Sequence, residues 1–98
     1  MSTLNLANEP VARSLRIERR SKQRFLTATL RDGQVHSVPI TFYPTLARAA
    51  PAQIRNFRPI GPGVGFHWPD LDFDLSVRGL VEGRRESGQA VRSRRRAG

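Results

Sequence analysis

The sequence predicts a small α+β domain, built from an antiparallel sheet with an Asp-Gly hairpin and two or three short helical turns. Apolar and polar residues alternate over residues 15–18 and 26–30 with the two-residue period of half-buried strands. An Asp-Gly pair follows the second run, and two later prolines open segments with helical spacing. A chain of 98 residues is long enough for one domain and no more.

The hairpin is predicted at the Asp-Gly pair of residues 32–33, because a two-residue type I′ turn needs positive φ at both central positions. Such a turn pairs Leu30 with Val35 across the strands. Thr29 then faces His36, which we expect on the face opposite the leucines. A solvated strand histidine is a more common arrangement there than a metal ligand.

Short helices are predicted on both sides of the next strands. Pro44 and Pro51 each suit the first position of a helix, where the missing N–H of proline costs nothing. Ser76 is suited to cap a third helical turn over residues 77–82, which Gly83 would end.

An extended segment before the third helical turn is expected to supply the largest core residue. Val64, Phe66 and Trp68 share one side of this segment, because residues two apart in a strand lie on one face. Pro69 restricts the preceding residue to extended conformations. We therefore predict that Trp68 lies in the core and that His67 points the other way, towards the acidic residues that follow.

Three aspartates, Asp70, Asp72 and Asp74, occupy alternate positions after His67. A strand over residues 70–77 would place its apolar side chains on one side and these carboxylates on the other. The spacing also resembles the start of an EF-hand loop, but the glycine and the bidentate glutamate of that loop are both missing. We prefer a solvated acidic face without a metal. A metal-dependent hydrolase that uses His67 and the three aspartates stays open as an alternative.

The formal charge of +9 is unevenly distributed. Residues 25–83 balance five basic against five acidic side chains, so the basic excess lies in residues 1–24 and 84–98. We expect this excess to belong to the ends of the chain and not to a folded face. A disordered basic end attracts polyanions by counterion release, so nonspecific binding of DNA or RNA is a second alternative. The candidate nucleic-acid residues are Arg84, Arg85, Arg92, Arg94, Arg95 and Arg96.

These patterns divide the chain into a disordered N-terminal tail at residues 1–12, a single domain at 13–83 and a disordered arginine-rich tail at 84–98. The chain has no cysteine, which excludes disulfides and thiolate metal sites. It has no signal-peptide core and no apolar run long enough to cross a bilayer, so we expect a cytoplasmic protein that does not bind membranes. No phosphate-binding loop or recognised catalytic motif occurs, and we expect neither enzyme activity nor a cofactor.

Two stretches, DGQVHSVPITFYPTLARAAPAQIRNF and GVGFHWPDLDFDLSVRGLVEG, resemble the bacterial domain of unknown function family 2442 over roughly residues 13–83. The string WPDLDFDLSV is the most specific part. The resemblance implies a small α+β protein without an assigned enzyme activity. Members are often encoded beside a small protein of domain of unknown function family 4160, an arrangement that suggests toxin–antitoxin pairs. We therefore expect a protein-binding module, the antitoxin-like member of such a pair.

The same resemblance assigns the candidate partner-binding residues. Asp70, Asp72 and Asp74 match the acidic string of the family, and Phe73 stands where relatives usually have glutamate. An exposed Phe73 would therefore be a partner contact. Relatives also usually have threonine where this chain has Ala50, so we expect the second helix to lack its capping box and to begin less firmly.

Overall fold

The computed structural model of the protein describes residues 9–86. Its strands are β1 (Ala12–Arg20), β2 (Gln23–Leu30), β3 (Val35–Pro39), β4 (Arg58–Ile60), β5 (Gly65–Trp68) and β6 (Phe73–Ser76). Its helices are α1 (Pro44–Ala47), α2 (Pro51–Arg55) and α3 (Val77–Val81), and a 3₁₀ turn at Ile40–Phe42 precedes α1. The predicted α+β class is confirmed.

The strands form two antiparallel sheets of three strands each. Sheet A has the order β1-β2-β3, and sheet B has the order β4-β5-β6. Within residues 9–86 each strand pairs only with a strand next to it in sequence, so both sheets are meanders with two edge strands each. Strand periodicity does not indicate which strands share a sheet, so the division into two sheets comes from the structure alone.

The two sheets are joined at the loop between β4 and β5. The Ala12 N–H donates to the Gly63 carbonyl at 2.8 Å, and the Arg31 guanidinium donates to the Pro62 carbonyl at 3.3 Å. Gly63 has a φ of +115°, and a Cβ at this position would overlap the Ala12 carbonyl oxygen. Only glycine therefore lets β1 approach this loop so closely.

One hydrophobic cluster contains residues from both sheets and from all three helices. Trp68 is its largest fully buried side chain, which confirms its predicted place in the core. Its indole Nε1 donates to the Ile54 carbonyl in α2 at 2.7 Å. The indole ring also packs against Phe57 and Phe73, with ring centroids 5.4 and 5.8 Å away. The tryptophan therefore connects sheet B to the helical segment.

The predicted Asp-Gly hairpin forms between β2 and β3, but its loop has three residues and not two. The Leu30 N–H donates to the Gln34 carbonyl at 2.8 Å, which leaves residues 31–33 in the loop. Gly33 supplies the positive φ, +94°, and Asp32 Oδ1 accepts the Gln34 N–H at 3.0 Å. An Asp-Gly pair suits this three-residue loop as well as the two-residue turn, because both need a glycine with positive φ.

The longer loop shifts the register of the hairpin by one residue. His36 pairs with Ala28, and Val38 pairs with Leu26, so His36 lies on the core-facing side of the sheet and is half-buried. The prediction that His36 lies opposite the leucines is therefore wrong. Val35 takes the outer face instead, where it is 59% exposed.

The two prolines begin α1 and α2, as predicted. Ala50 makes no side-chain cap hydrogen bond at the start of α2. The Gln53 Oε1 nevertheless accepts the Ala50 N–H at 3.0 Å, which keeps one of the two hydrogen bonds of a capping box. The loss of a threonine at this position is therefore compensated in part.

The third helix begins and ends as the sequence predicts. The Ser76 Oγ accepts the Gly79 N–H at 3.0 Å and so caps α3. Gly83, with a φ of +72°, follows the end of the helix.

The described fold extends past the predicted limits of residues 13 and 83. At the N-terminal side Glu9 pairs with Arg78 at 2.8 Å. At the C-terminal side the Glu86 carboxylate accepts the Thr45 N–H at 2.9 Å and its hydroxyl at 2.6 Å. These partners are far apart in sequence, so composition alone does not reveal them. The rest of the predicted tails, residues 1–8 and 87–98, lies outside the described residues.

Tyr43 has an unusual hydroxyl for a core residue. The side chain is 2% exposed, and its Oη has no hydrogen-bond partner among residues 9–86. An unsatisfied buried hydroxyl costs about 1–3 kcal/mol. We expect Tyr43→Phe to raise the free energy of unfolding by about 1 kcal/mol, measured by urea denaturation at pH 7. A loss of stability in this variant would mean that the hydroxyl has a partner.

Tyr43 should also lower the stability of the fold at alkaline pH. Burial raises the pKa of Tyr43 from its ordinary value of 10.0 to about 12. Because the unfolded chain ionises first, the stability is complete below pH 10 and is lost as the pH rises towards 12. The Tyr43→Phe variant should lack this contribution to the alkaline slope.

Candidate functional site

The structure distributes the predicted acidic string over a turn and a strand. β6 begins at Phe73, and Asp70 and Asp72 lie in the turn between β5 and β6. Asp72 adopts a φ of +49°, a left-handed conformation that aspartate tolerates better than most residues. The predicted strand over residues 70–77 is therefore wrong at residues 70–72. Only Asp74 is a strand residue.

The two outer aspartates contact different side chains. Asp74 Oδ1 lies 2.5 Å from the His67 Nδ1, and its side chain stays 68% exposed. Asp70 Oδ2 accepts a hydrogen bond from the Asn56 side chain at 3.1 Å. His67 also stands between Arg58 and Asp74 in the sheet register. This row across sheet B carries both signs of charge and is not a uniformly acidic face.

Phe73 points into the core and not towards a partner. It is 5% exposed and packs against the rings of Trp68 and Tyr43, at centroid distances of 5.8 and 6.3 Å. The candidate partner contact at Phe73 is therefore corrected to a core position. The glutamate of relatives indicated exposure, but the turn at Asp72 reverses the chain and directs the next side chain inwards.

The alternative of a metal-dependent hydrolase lacks its site in the described residues. Within residues 9–86 no group of three or more histidine, aspartate or glutamate side chains is arranged to hold a metal ion. His67 and Asp74 are adjacent, whereas Asp70 turns towards Asn56.

Two of the six candidate nucleic-acid arginines lie in the described fold, and both have partners there. Arg84 pairs with Glu82 at 2.6 Å, and the Arg85 guanidinium lies over the Phe42 ring at 4.2 Å from its centroid. The other four lie outside the described residues, and their role stays a prediction: Arg92, Arg94, Arg95 and Arg96.

The N-terminal basic excess, by contrast, belongs to folded strands. The expectation that it lies on the chain ends and not on a folded face is wrong for this half of the molecule. Six cations occur on β1, β2 and the turn between them: Arg13, Arg16, Arg19, Arg20, Lys22 and Arg24. The apolar–polar alternation of residues 15–18 does not continue into the all-polar residues 19–24, so periodicity does not indicate that these cations lie on strands.

Sequence reasoning missed a groove between sheet A and the β4–β5 loop. Its apolar lining consists of aromatic and proline side chains together with Ala12 and Leu15, and its two charged side chains are both arginines. No lining residue is acidic. The groove is lined by residues 12–15 of β1, by Arg31, Phe57, Pro59 and Phe66, and by residues 61–63.

One wall of this groove is a strand edge. β1 is an edge strand of sheet A, and alternate residues of an antiparallel edge strand direct their N–H and C=O groups away from the neighbouring strand. Ala12 uses its N–H to bind Gly63. From Arg13 to Arg20, no hydrogen bond from the described part of the chain covers this outer edge. The groove therefore combines apolar surface, two cations and unpaired backbone.

Comparison with known proteins places the chain in a family. Residues 19–86 match the family model described as "Protein of unknown function (DUF2442)". The chain belongs to the DUF2442 family. No curated protein matches it. A crystal structure of a protein of unknown function from Rhodospirillum rubrum ATCC 11170 is 32% identical in sequence, with a TM-score of 0.68. That match covers 82% of this chain and 94% of the other.

The DUF2442 match includes the β1–β2 turn and the acidic string, but it begins after the part of β1 that lines the groove. It ends at Glu86, whose carboxylate binds Thr45. None of the helices in the described part of this DUF2442 protein has the length and apolar character that crossing a membrane requires.

Proposed function

We propose that this DUF2442 protein is a protein-binding module that takes up an extended, acidic segment of a partner protein along β1. The observation that carries the proposal is the groove, because its apolar surface lies beside an open strand edge. In this mode of recognition, main-chain hydrogen bonds give affinity and side-chain pockets give specificity.

The geometry of β1 supports this mode. A register shift between Ala12 and Ser14 marks a β-bulge where the strand enters the groove. Bulges at sheet edges commonly end one pairing and redirect the strand. Here the bulge follows the hydrogen bond between Ala12 and Gly63. The outward N–H and C=O groups of β1 after the bulge are therefore available to another strand.

The positive charge of the groove favours a negatively charged partner segment. Arg13 and Arg31 line it without an acidic side chain, so a segment with aspartate or glutamate beside its apolar residues is complementary. Such complementarity increases the association rate and excludes basic segments.

The finer form of the proposal rests on the family resemblance. In that form the partner is the small domain of unknown function 4160 protein encoded beside a DUF2442 gene, this chain is the antitoxin-like member of the pair, and both act in the cytoplasm. The aspartates at 70, 72 and 74 offer a rival contact, which would favour a basic segment instead. The sign of the partner's charge therefore separates the two sites.

The proposal is tested by co-expressing the full chain with that small protein and measuring the affinity of the purified pair. We expect Arg13→Glu with Arg31→Glu to weaken binding about tenfold or more, because like charges then face the acidic segment. The matched control is Arg48→Glu with Arg55→Glu, which reverses two exposed charges away from the groove. Unchanged melting temperatures must accompany both double variants.

A second pair of substitutions distinguishes the rival site. Asp70→Asn with Asp74→Asn should leave binding unchanged if the groove is the contact. If this variant alone loses the partner, the contact is the acidic turn and the groove proposal is wrong. If the unchanged chain does not bind the small protein, the antitoxin-like form of the proposal fails.

A further inference from the structure

The β1–β2 hairpin extends beyond the third strand of sheet A. β3 pairs only with residues 25–29 of β2, so residues 19–24 form a two-stranded ribbon with no neighbouring strand from the described part of the chain. We call residues 19–24 the basic ribbon. Ser21, with a φ of +58°, and Lys22 make the turn at its tip. No residue of the ribbon has an apolar side chain.

The charges near the ribbon are neutralised only in part. Residues 16–24 hold five cations and a single carboxylate, that of Glu18. This carboxylate pairs with both Arg16 and Arg20, at 2.9 and 3.1 Å. Within residues 9–86, the side chains of Arg19 and Lys22 have neither a hydrogen bond nor an ion pair. The ribbon thus presents unneutralised positive charge at its tip.

The pairing within the ribbon also places like charges together. Arg19 lies directly opposite Arg24 in the register of β1 and β2. Like charges in directly opposite positions destabilise a strand pair. Arg24 reduces this repulsion by donating to the Ala47 carbonyl at 3.1 Å, whereas Arg19 has no such partner in the described fold. The arrangement is unfavourable in the free protein, and a bound anion would relieve it.

We propose that the basic ribbon enters the major groove of duplex DNA and binds its phosphates through Arg19 and Lys22, the two ribbon cations whose side chains have no partner among residues 9–86. The major groove of B-form DNA, about 12 Å wide, admits a two-stranded β-ribbon. Arg20 points to the opposite face of the ribbon from Arg19, and its guanidinium is held there by Glu18, Ser37 and the Phe25 ring. This contact is on the folded domain and is separate from the arginines after residue 86.

The shape and composition of the ribbon favour DNA over other polyanions. The major groove of A-form RNA is too deep and narrow for side chains to reach its bases, so a ribbon fits duplex RNA poorly. An anionic membrane surface is bound through apolar as well as basic side chains, and the ribbon offers only polar and basic ones.

The test measures the binding of the full chain to a 20-base-pair DNA duplex by fluorescence anisotropy, at salt concentrations from 50 to 200 mM. Each neutralised phosphate contributes about −0.9 to the slope of log affinity against log salt, so Arg19→Gln with Lys22→Gln should flatten it by about 1.8. The affinity at 100 mM salt should fall on the order of tenfold. The thermal midpoint should stay the same or rise, because a repulsive pair is relieved.

Two controls of equal design locate the contact. Arg48→Gln with Arg55→Gln removes two exposed charges outside the ribbon and should leave the slope unchanged. Substitution of Arg92, Arg94, Arg95 and Arg96 by glutamine tests the C-terminal arginines, and the ribbon variant should still flatten the slope in that background. Equal effects of the ribbon and control pairs would overturn the proposal. So would binding to duplex RNA as tight as to DNA, or no DNA binding at 50 mM salt.

Discussion

Replacing Trp68 with alanine is expected to lower the free energy of unfolding by about 3–5 kcal/mol. The indole is fully buried, contacts Phe57 and Phe73, and donates to the Ile54 carbonyl. The substitution therefore leaves a cavity and also an unpaired buried carbonyl. Small domains are stable by only about 5–15 kcal/mol, so this loss takes a large share of the total stability. Urea denaturation followed by far-ultraviolet circular dichroism measures the loss.

Two further substitutions separate the contributions of Trp68. Trp68→Phe keeps an aromatic ring but loses the hydrogen bond to Ile54, and should cost less than the alanine variant, about 1–3 kcal/mol. Val35→Ala changes an exposed residue of β3 and should shift the stability by less than about 0.5 kcal/mol. A Trp68→Ala variant as stable as the Val35→Ala variant would mean that the indole does not hold the core together.

Gly63→Ala is expected to cost about 2–4 kcal/mol, from backbone strain and from the loss of the hydrogen bond to Ala12. The residue has a φ of +115°, and an added Cβ would overlap the Ala12 carbonyl oxygen. This contact joins sheet A to sheet B, so β1 must move away from the loop to accommodate the methyl group. Chemical denaturation measures the cost, and hydrogen exchange at the Ala12 amide reports the separation.

Gly61 provides a matched control for Gly63. It also has a positive φ, +56°, but a Cβ there would meet nothing within 4 Å. Gly61→Ala should therefore cost only the strain of the left-handed backbone, about 1–2 kcal/mol. If the two variants lose the same stability, the close approach of β1 to the loop does not contribute, and the join between the sheets is weaker than its geometry indicates.

The local elements of this fold could be predicted from the sequence because each depends on residues close together in the chain. Pro44 and Pro51 begin their helices, and Ser76 caps α3, because these effects act within one helical turn. Trp68 was predictable in the same way, from alternation over five residues and the proline after it. The Asp-Gly pair at 32–33 indicated a hairpin correctly but could not choose between two loop lengths.

The candidate site was less predictable because tertiary contacts define it. The alternation around Phe73 placed its ring on the apolar side of a strand, but it could not indicate the left-handed turn at Asp72 or the contact with Trp68. The groove lies between β1 and a loop about 50 residues later in the chain. Charge counts along the sequence cannot reveal such a tertiary contact. Dividing the charge by position also assigned Arg19 and its neighbours to a chain end, whereas their strand pairing makes them part of a folded ribbon.

The meander order of the two sheets has a consequence for how the protein is made. Sheet A is complete once residue 39 has been synthesised, but sheet B is complete only at residue 76. At ~5–20 residues per second, the ribosome needs about 2–7 seconds to make the intervening chain. Hairpins form in microseconds, so sheet A has ample time to pair first. During that interval the later part of the hydrophobic cluster in which Leu26 and Ala28 are fully buried, including Trp68 and α3, is not yet made. The newly made first half therefore offers chaperones an apolar sheet face that the folded protein never displays.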